Sequence, residues 1–203
     1  RYLPGFLSGE RIGAFALTEP KAGSDVVSMK MKAKRDSSGD YLLSGQKTFI
    51  SNAGVATQYI VFANVDPRKK KRGITAFIVE SNDNGIKIDP FEVIAPHPIG
   101  TLTLRRTRIP ASRRLGEEGQ GFEIAMKTLN TFRLSVAGAA LGMARRALDE
   151  ALKHAMQREQ LGGPLMDQQQ VAAMIADSVT ELDAARLLVY RAAYLRDMRD
   201  IFG

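Results

Sequence analysis

The chain has 203 residues, 44% hydrophobic and 25% charged, which suits one large or two small globular domains with a sizeable core. It has no cysteine and only two histidines, His97 and His154, which excludes a disulfide framework and a thiolate metal site and leaves no imidazole cluster; no metal is expected. Net charge is +7, yet no run of about 18 apolar residues is present, so neither a membrane span nor, without a signal peptide, secretion is expected.

Taken in chain order, the first two-thirds read as β. The stretch 12–17 is apolar. Val27, Met29, Met31 and Ala33 alternate with Ser28, Lys30, Lys32 and Lys34, the period of a half-exposed strand. Ser37-Ser38-Gly39-Asp40 is a turn, and 41–51 reads as the returning arm. Runs of buried-strand length follow at 59–65 and 74–79. Between them lies Arg68-Lys69-Lys70-Lys71-Arg72. No aromatic residue interleaves these charges, so they read as a solvated loop and no nucleic-acid partner is expected. After the turn Asn82-Asp83-Asn84-Gly85, strands at 86–94 and 102–109 complete an antiparallel set. Closely spaced strands without intervening helices predict a barrel or sandwich.

Composition changes near Leu115-Gly116-Glu117-Glu118-Gly119. Beyond it, Phe122, Ala125, Met126, Leu129, Val136, Ala140, Met143, Ala147, Ala151 and Ala155 recur at helical spacing. A helix over 121–158 would be about 55 Å long. Gly162-Gly163-Pro164 is the expected stop, and Asp167 with Gln170 predicts a capping box opening a second helix. The fold class is therefore α+β: an antiparallel β-barrel or sandwich followed by long antiparallel helices of an incomplete four-helix bundle.

Five stretches carry the chemistry. Ala16-Leu17-Thr18-Glu19-Pro20-Lys21-Ala22-Gly23-Ser24-Asp25 places a hydroxyl, a Pro turn and a Gly-Ser corner after a strand. Gly45-Gln46-Lys47-Thr48-Phe49-Ile50-Ser51-Asn52-Ala53-Gly54 sets an aromatic two residues before a hydroxyl. Ile109-Pro110-Ala111-Ser112 followed by Leu115 to Phe122 forms a junction. Asn130-Thr131-Phe132-Arg133 puts Asn130 and Arg133 on one helical face. Arg158-Glu159-Gln160-Leu161-Gly162, with Gln168-Gln169, follows the first helix.

In this order the five stretches closely resemble the acyl-CoA dehydrogenase flavoprotein family. The resemblance implies FAD as cofactor. Leu17 and Thr18 would meet the pyrimidine edge of the flavin, with Ser24 near the pyrophosphate and the acyl-CoA thioester arm. Phe49 would cover one face of the ring, with Ile50 beside it, and Ser51 would reach N5, the hydride acceptor. Asn130 and Arg133 would contact CoA, and Arg158, Leu161 and Gln169 would reach the FAD of a neighbouring subunit. Phe49 and Ser51 stand where the family commonly has Trp and Thr, and Leu161 where Phe is common. Pro96-His97-Pro98-Ile99-Gly100 departs from the family's usual substrate-side segment.

The resemblance further implies an enzyme that introduces an α,β double bond into an acyl-CoA and passes electrons to an electron-transfer flavoprotein. It implies a homotetramer (a dimer of dimers) in a bacterial cytoplasm or mitochondrial matrix. An acyl-CoA oxidase, a flavin monooxygenase on the same fold and a non-catalytic flavin- or CoA-binding module are the alternatives. Family members are longer, so the chain, which opens without Met, is expected to be a piece: 1–10 the tail of an N-terminal helical domain, 11–115 the middle β-domain, and 116–203 the first part of the C-terminal helical domain. No catalytic residue is expected within it. Phe132 occupies the position where some members place the catalytic Glu, and the other family position for that base would lie outside these residues. The closing Ile201-Phe202-Gly203 echoes a flavin-contacting segment of the family but comes early.

Overall fold

The structure, a computed structural model, describes residues 2–94 and 96–202, with side chains as far as 198. The echo at Ile201-Phe202-Gly203 therefore lies outside the described side chains, and Gly203 outside the described residues. The chain divides into two units, Arg1–Met126 and Lys127–Gly203.

The first unit opens with a short helix, α1 (Leu3–Leu7), and carries strands β1 (Gly13–Ala16), β2 (Lys32–Arg35), β3 (Tyr41–Ser51), β4 (Gln58–Asn64), β5 (Ile74–Glu80), β6 (Ile86–Pro90), β7 (Ile99–Ile109) and β8 (Arg114–Leu115). They form one sheet in the order β6-β7-β3-β2-β4-β5-β8, with β1 paired to β4. The sheet is mixed, which corrects the all-antiparallel expectation: β1 runs parallel to β4, and β2 meets β4 in parallel at Lys32 and Asn64. It curls as a sandwich and does not close as a barrel. Buried Tyr41, Leu43, Tyr59, Val61, Phe77, Val79, Leu102, Leu104 and Ile109 form its core, and the Tyr41 and Phe77 rings pack 4.8 Å apart.

Two strands are shorter than the residue pattern predicts. The strand expected over 27–34 begins only at Lys32, because Val26–Ser28 forms a 3-10 turn and the amides of Lys30 and Met31 donate to the Glu19 carboxylate instead of a ladder. The alternation nevertheless reported burial correctly, since Met29, Met31 and Ala33 are all buried. The strand expected over 86–94 ends at Pro90, opposite Gly100 near the start of β7, where a last bond runs from the Phe91 N–H to the Ile99 carbonyl at 2.8 Å.

Helix α2 (Gly121–Gln157) begins in the first unit and continues into the second, where α3 (Gln169–Phe202) follows it. The helix forms over the expected 121–158 to within a residue, and Gly162 does not cap it directly. The helix ends at Gln157, and Leu161 and Gly162 form the tip of a two-residue hairpin between β9 (Glu159–Gln160) and β10 (Gly163–Pro164). Both tip residues have positive φ, 54° and 91°, as a type I′ turn requires. Helical bonding in α3 starts at Gln168, whose carbonyl accepts from the Ala172 N–H, so Asp167 is not the cap that the spacing predicted. Arg196 on α3 donates to the Asn130 carbonyl at 3.1 Å and the Thr131 hydroxyl at 2.9 Å on α2, so the two helices run antiparallel. Val136 and Met143, placed on a covered stripe by their spacing, are exposed, while Ala155 and Leu182 are buried. No described helix is long and apolar enough to cross a membrane.

Candidate functional site

The first unit brings two of the five stretches together. Glu19 and Ala22 exchange backbone hydrogen bonds of 3.0 and 3.1 Å across Pro20-Lys21, so the decapeptide folds into a tight turn. Pro suits the second position of such a turn because its φ is already set. Beside it, the Thr48 N–H donates to the Thr18 carbonyl at 2.9 Å, which joins the two stretches at their centres.

Phe49 owes its position to a β-bulge. Lys47 pairs with Leu102 and Ile50 with Gly100, so β3 carries one more residue here than β7 opposite it. Phe49, at φ 56°, is the residue that absorbs the excess. The bulge turns its ring outward, 69% exposed, while its neighbours Thr48 and Ile50 stay buried. The ring is held edge-on by Phe91 at 5.4 Å. A large, largely exposed aromatic ring fixed by a strained backbone is unusual on a protein surface and suits stacking on a planar ligand. Ser51 and Ser24 are exposed and Thr18 is half-buried. Among the described residues the Thr18 N–H has no acceptor. The Leu17 and Ile50 side chains lie in the interior, so only their main-chain groups can face a ligand.

Beneath this surface lies a pair to which sequence reasoning assigned no role. Lys47 is fully buried and Glu19 is 6% exposed. The Lys47 ammonium donates to Glu19 Oε1 at 2.9 Å and to the Leu17 carbonyl at 2.9 Å, with the Met29 sulfur at 4.0 Å. Glu19 also accepts the amides of Lys30, at 2.6 Å, and Met31, at 3.0 Å. A buried pair is tolerated when its remaining bonding capacity is met in this way. Burial pushes the Lys47 ammonium down to about 8, with the adjacent Glu19 carboxylate opposing the shift. The pair could have been found by counting: from buried Tyr41 and Leu43, a period of two places Lys47 inward.

The second unit carries the remaining residues. Arg133 donates to the Asn130 Oδ1 at 2.7 Å, as their spacing on α2 predicted, and both are exposed. Phe132 between them is exposed and offers no proton-transfer group. Arg158 lies where α2 meets the hairpin: its N–H donates to the His154 carbonyl and its own carbonyl accepts from Leu165 N. Its guanidinium side, Leu161 and Gln169 are all exposed. No group of His, Asp or Glu among the described residues could hold a metal ion.

A family model described as "Acyl-CoA dehydrogenase, middle domain" matches residues 14–107, and one described as "Acyl-CoA dehydrogenase, C-terminal domain" matches 119–201. The chain is 43% identical to the caffeyl-CoA reductase-Etf complex subunit CarC of Acetobacterium woodii, over 97% of this chain and 52% of that protein. Among solved structures, butyryl-CoA dehydrogenase from Megasphaera elsdenii superposes with a TM-score of 0.90 at 40% identity, covering 96% of this chain and 52% of that one. The prolyl acyl carrier protein oxidase AnaB superposes with a TM-score of 0.92 at 31% identity, covering 98% and 53%. The chain spans about half the length of the curated relatives it matches. Matched along nearly all of its length, across two consecutive domain models in order, the chain belongs to the acyl-CoA dehydrogenase family.

Proposed function

We propose that this chain forms one wall of an FAD and acyl-CoA site in an enzyme that dehydrogenates an acyl-CoA between its α and β carbons. The observation that carries this reading is the join between Thr18 and Thr48, which sets the outward Phe49 ring beside the half-buried Thr18, whose N–H has no acceptor among the described residues. A flat ring with a polar edge is the ligand that such a surface fits. A bound flavin supplies a hydride acceptor at N5.

The residues present would bind and orient. Phe49 covers one ring face, Ser51 offers a hydroxyl, and the main chain of Leu17, Thr18 and Ile50 lines the polar edge. Ser24 stands toward phosphate and substrate, and Asn130 with Arg133 suits the polar groups of CoA. Arg158, Leu161 and Gln169 would serve the cofactor of a neighbouring subunit in a homotetramer. The proposed domain boundaries are 11–115 for the middle β-domain and 116–203 for the opening of the C-terminal domain, after an N-terminal tail over 1–10. The proton-abstracting base is proposed to lie outside these residues, and an electron-transfer flavoprotein to be the electron acceptor, in a bacterial cytoplasm or mitochondrial matrix.

The test is to purify the intact protein, record its flavin spectrum and titrate acyl-CoA thioesters under anaerobic conditions. Bleaching of the oxidised flavin is expected, and a protein that carries no FAD and bleaches with no acyl-CoA overturns the reading. The similarity to AnaB, an oxidase by name, favours oxygen as a second candidate for the acceptor. Reoxidation of the reduced enzyme by oxygen faster than by an electron-transfer flavoprotein would select it.

A further inference from the structure

Two features at the join are connected, and the function proposed above uses only the second. One is the buried Lys47 ammonium, which donates to the Leu17 carbonyl at 2.9 Å. The other is the Thr18 N–H, which has no acceptor among the described residues. They belong to one peptide group, because the carbonyl of Leu17 and the amide of Thr18 share the same planar, resonance-coupled unit. A cation bonded to the oxygen of such a unit draws electron density from its nitrogen and makes the N–H a stronger donor. Hydrogen bonds in series reinforce one another in this way, most of all where water is excluded and one partner is charged.

We propose that Lys47 is a positioning residue that acts through the Leu17–Thr18 peptide, polarising the Thr18 N–H toward an acceptor atom on the edge of the bound flavin, with Glu19 holding the ammonium in place. The inference rests on the flavin reading of the site.

Three observations support it. Lys47 is fully buried, so its charge is not screened by solvent. Its bond to the Leu17 carbonyl is as short as its bond to Glu19, so the ammonium is shared between carboxylate and peptide. Glu19 is itself immobilised by the amides of Lys30 and Met31 and by its backbone bridge to Ala22, so the pair cannot swing away from the turn. The depressed affinity of Lys47 for its proton, at about 8, still leaves the ammonium predominantly charged at neutral pH. Such a donor binds the reduced ring, richer in electrons at its edge, more tightly than the oxidised ring. Lys47 would thereby raise the potential of the flavin as well as its affinity.

The test compares Lys47→Met and Glu19→Gln in the intact protein, with FAD as the probe. The readouts are the FAD dissociation constant and the two-electron midpoint potential of the bound flavin, measured without substrate. Lys47→Met is expected to lower the preference for reduced over oxidised FAD about tenfold, a fall of about 30 mV for a two-electron couple. Glu19→Gln removes the carboxylate that opposes the desolvation of Lys47, so the lysine releases its proton at a lower pH, and the midpoint of this variant should fall towards that of Lys47→Met. A pair that served only to staple the turn would weaken FAD binding in both variants and leave the midpoint of the bound flavin unmoved. That result, or a midpoint that rises in Lys47→Met, overturns the inference. Where Lys47→Met fails to fold, the double variant Glu19→Gln/Lys47→Met leaves no buried charge and carries the same expected fall. A wild-type protein without flavin overturns the proposed function and this inference with it, whereas a flavin-bearing wild type with unmoved variants overturns the inference alone.

Discussion

Lys47→Met should change how the stability of the protein depends on pH, and the structure gives the sign and the size. Lys47 is fully buried, and burial lowers its pKa from 10.5 to about 8 even though Glu19 pulls the other way. Between those two values the unfolded chain keeps a proton that the folded chain has released. Stability rises with pH wherever the unfolded state binds more protons, so this group makes the fold more stable as pH climbs from about 8 to 10.5. Below that window both states are protonated and the full desolvation cost of the charged pair is carried. The gap corresponds to about 3 kcal/mol at about 1.4 kcal/mol per pH unit. Urea unfolding of wild type and Lys47→Met should therefore give stability differences that move by about 3 kcal/mol across the window, with Lys47→Met lacking the rise. Lysine labelled with carbon-13 at the ε position reads the titration directly. The resonance that disappears in Lys47→Met should titrate near 8. If it titrates at the ordinary lysine value instead, the assignment of Lys47 as a desolvated ammonium is refuted.

Phe49→Ala should cost less than about 1 kcal/mol of folding stability, because the ring is 69% exposed, yet weaken FAD binding about tenfold by flavin-fluorescence titration. Gly45→Ala should destabilise the β-unit by about 2 kcal/mol or more, read from urea midpoints. Gly45 has φ 148° and an added Cβ would sit 2.8 Å from the Met31 backbone. Arg133→Ala should raise KM for an acyl-CoA about tenfold with kcat changed less than about twofold, since a phosphate or amide contact remote from the reacting carbons binds substrate and transition state alike.

Much of the architecture was legible because it rests on period and punctuation. Alternating Val27, Met29, Met31 and Ala33 marked an inward face, and those of them nearest β2 are indeed buried. What the alternation could not convey was that a carboxylate outside the strand, Glu19, would take the amides of Lys30 and Met31 and delay the ladder until Lys32. The end of α2 was legible to within a residue of the expected 158, whereas the role of Gly162 was not: it belongs to a hairpin that follows the helix and does not cap it. The parallel placement of β1 and β2 against β4 was likewise invisible, because pairing direction depends on which edge is free when the strands meet.

The order of residues alone determined which side chains this site has to work with: the hydroxyls of Thr18, Ser24 and Ser51, the ring of Phe49, and the Asn130 and Arg133 pair, whose shared face follows from helical spacing. Only the tertiary structure decided how they are presented. A mismatch in register between β3 and β7 turned Phe49 outward, since one strand carries a residue that the other does not. Contact between segments distant in the chain buried Lys47 against Glu19 and Leu17. A lysine in a sequence is only a charge; its desolvation and its partners exist once the sheet has closed over it.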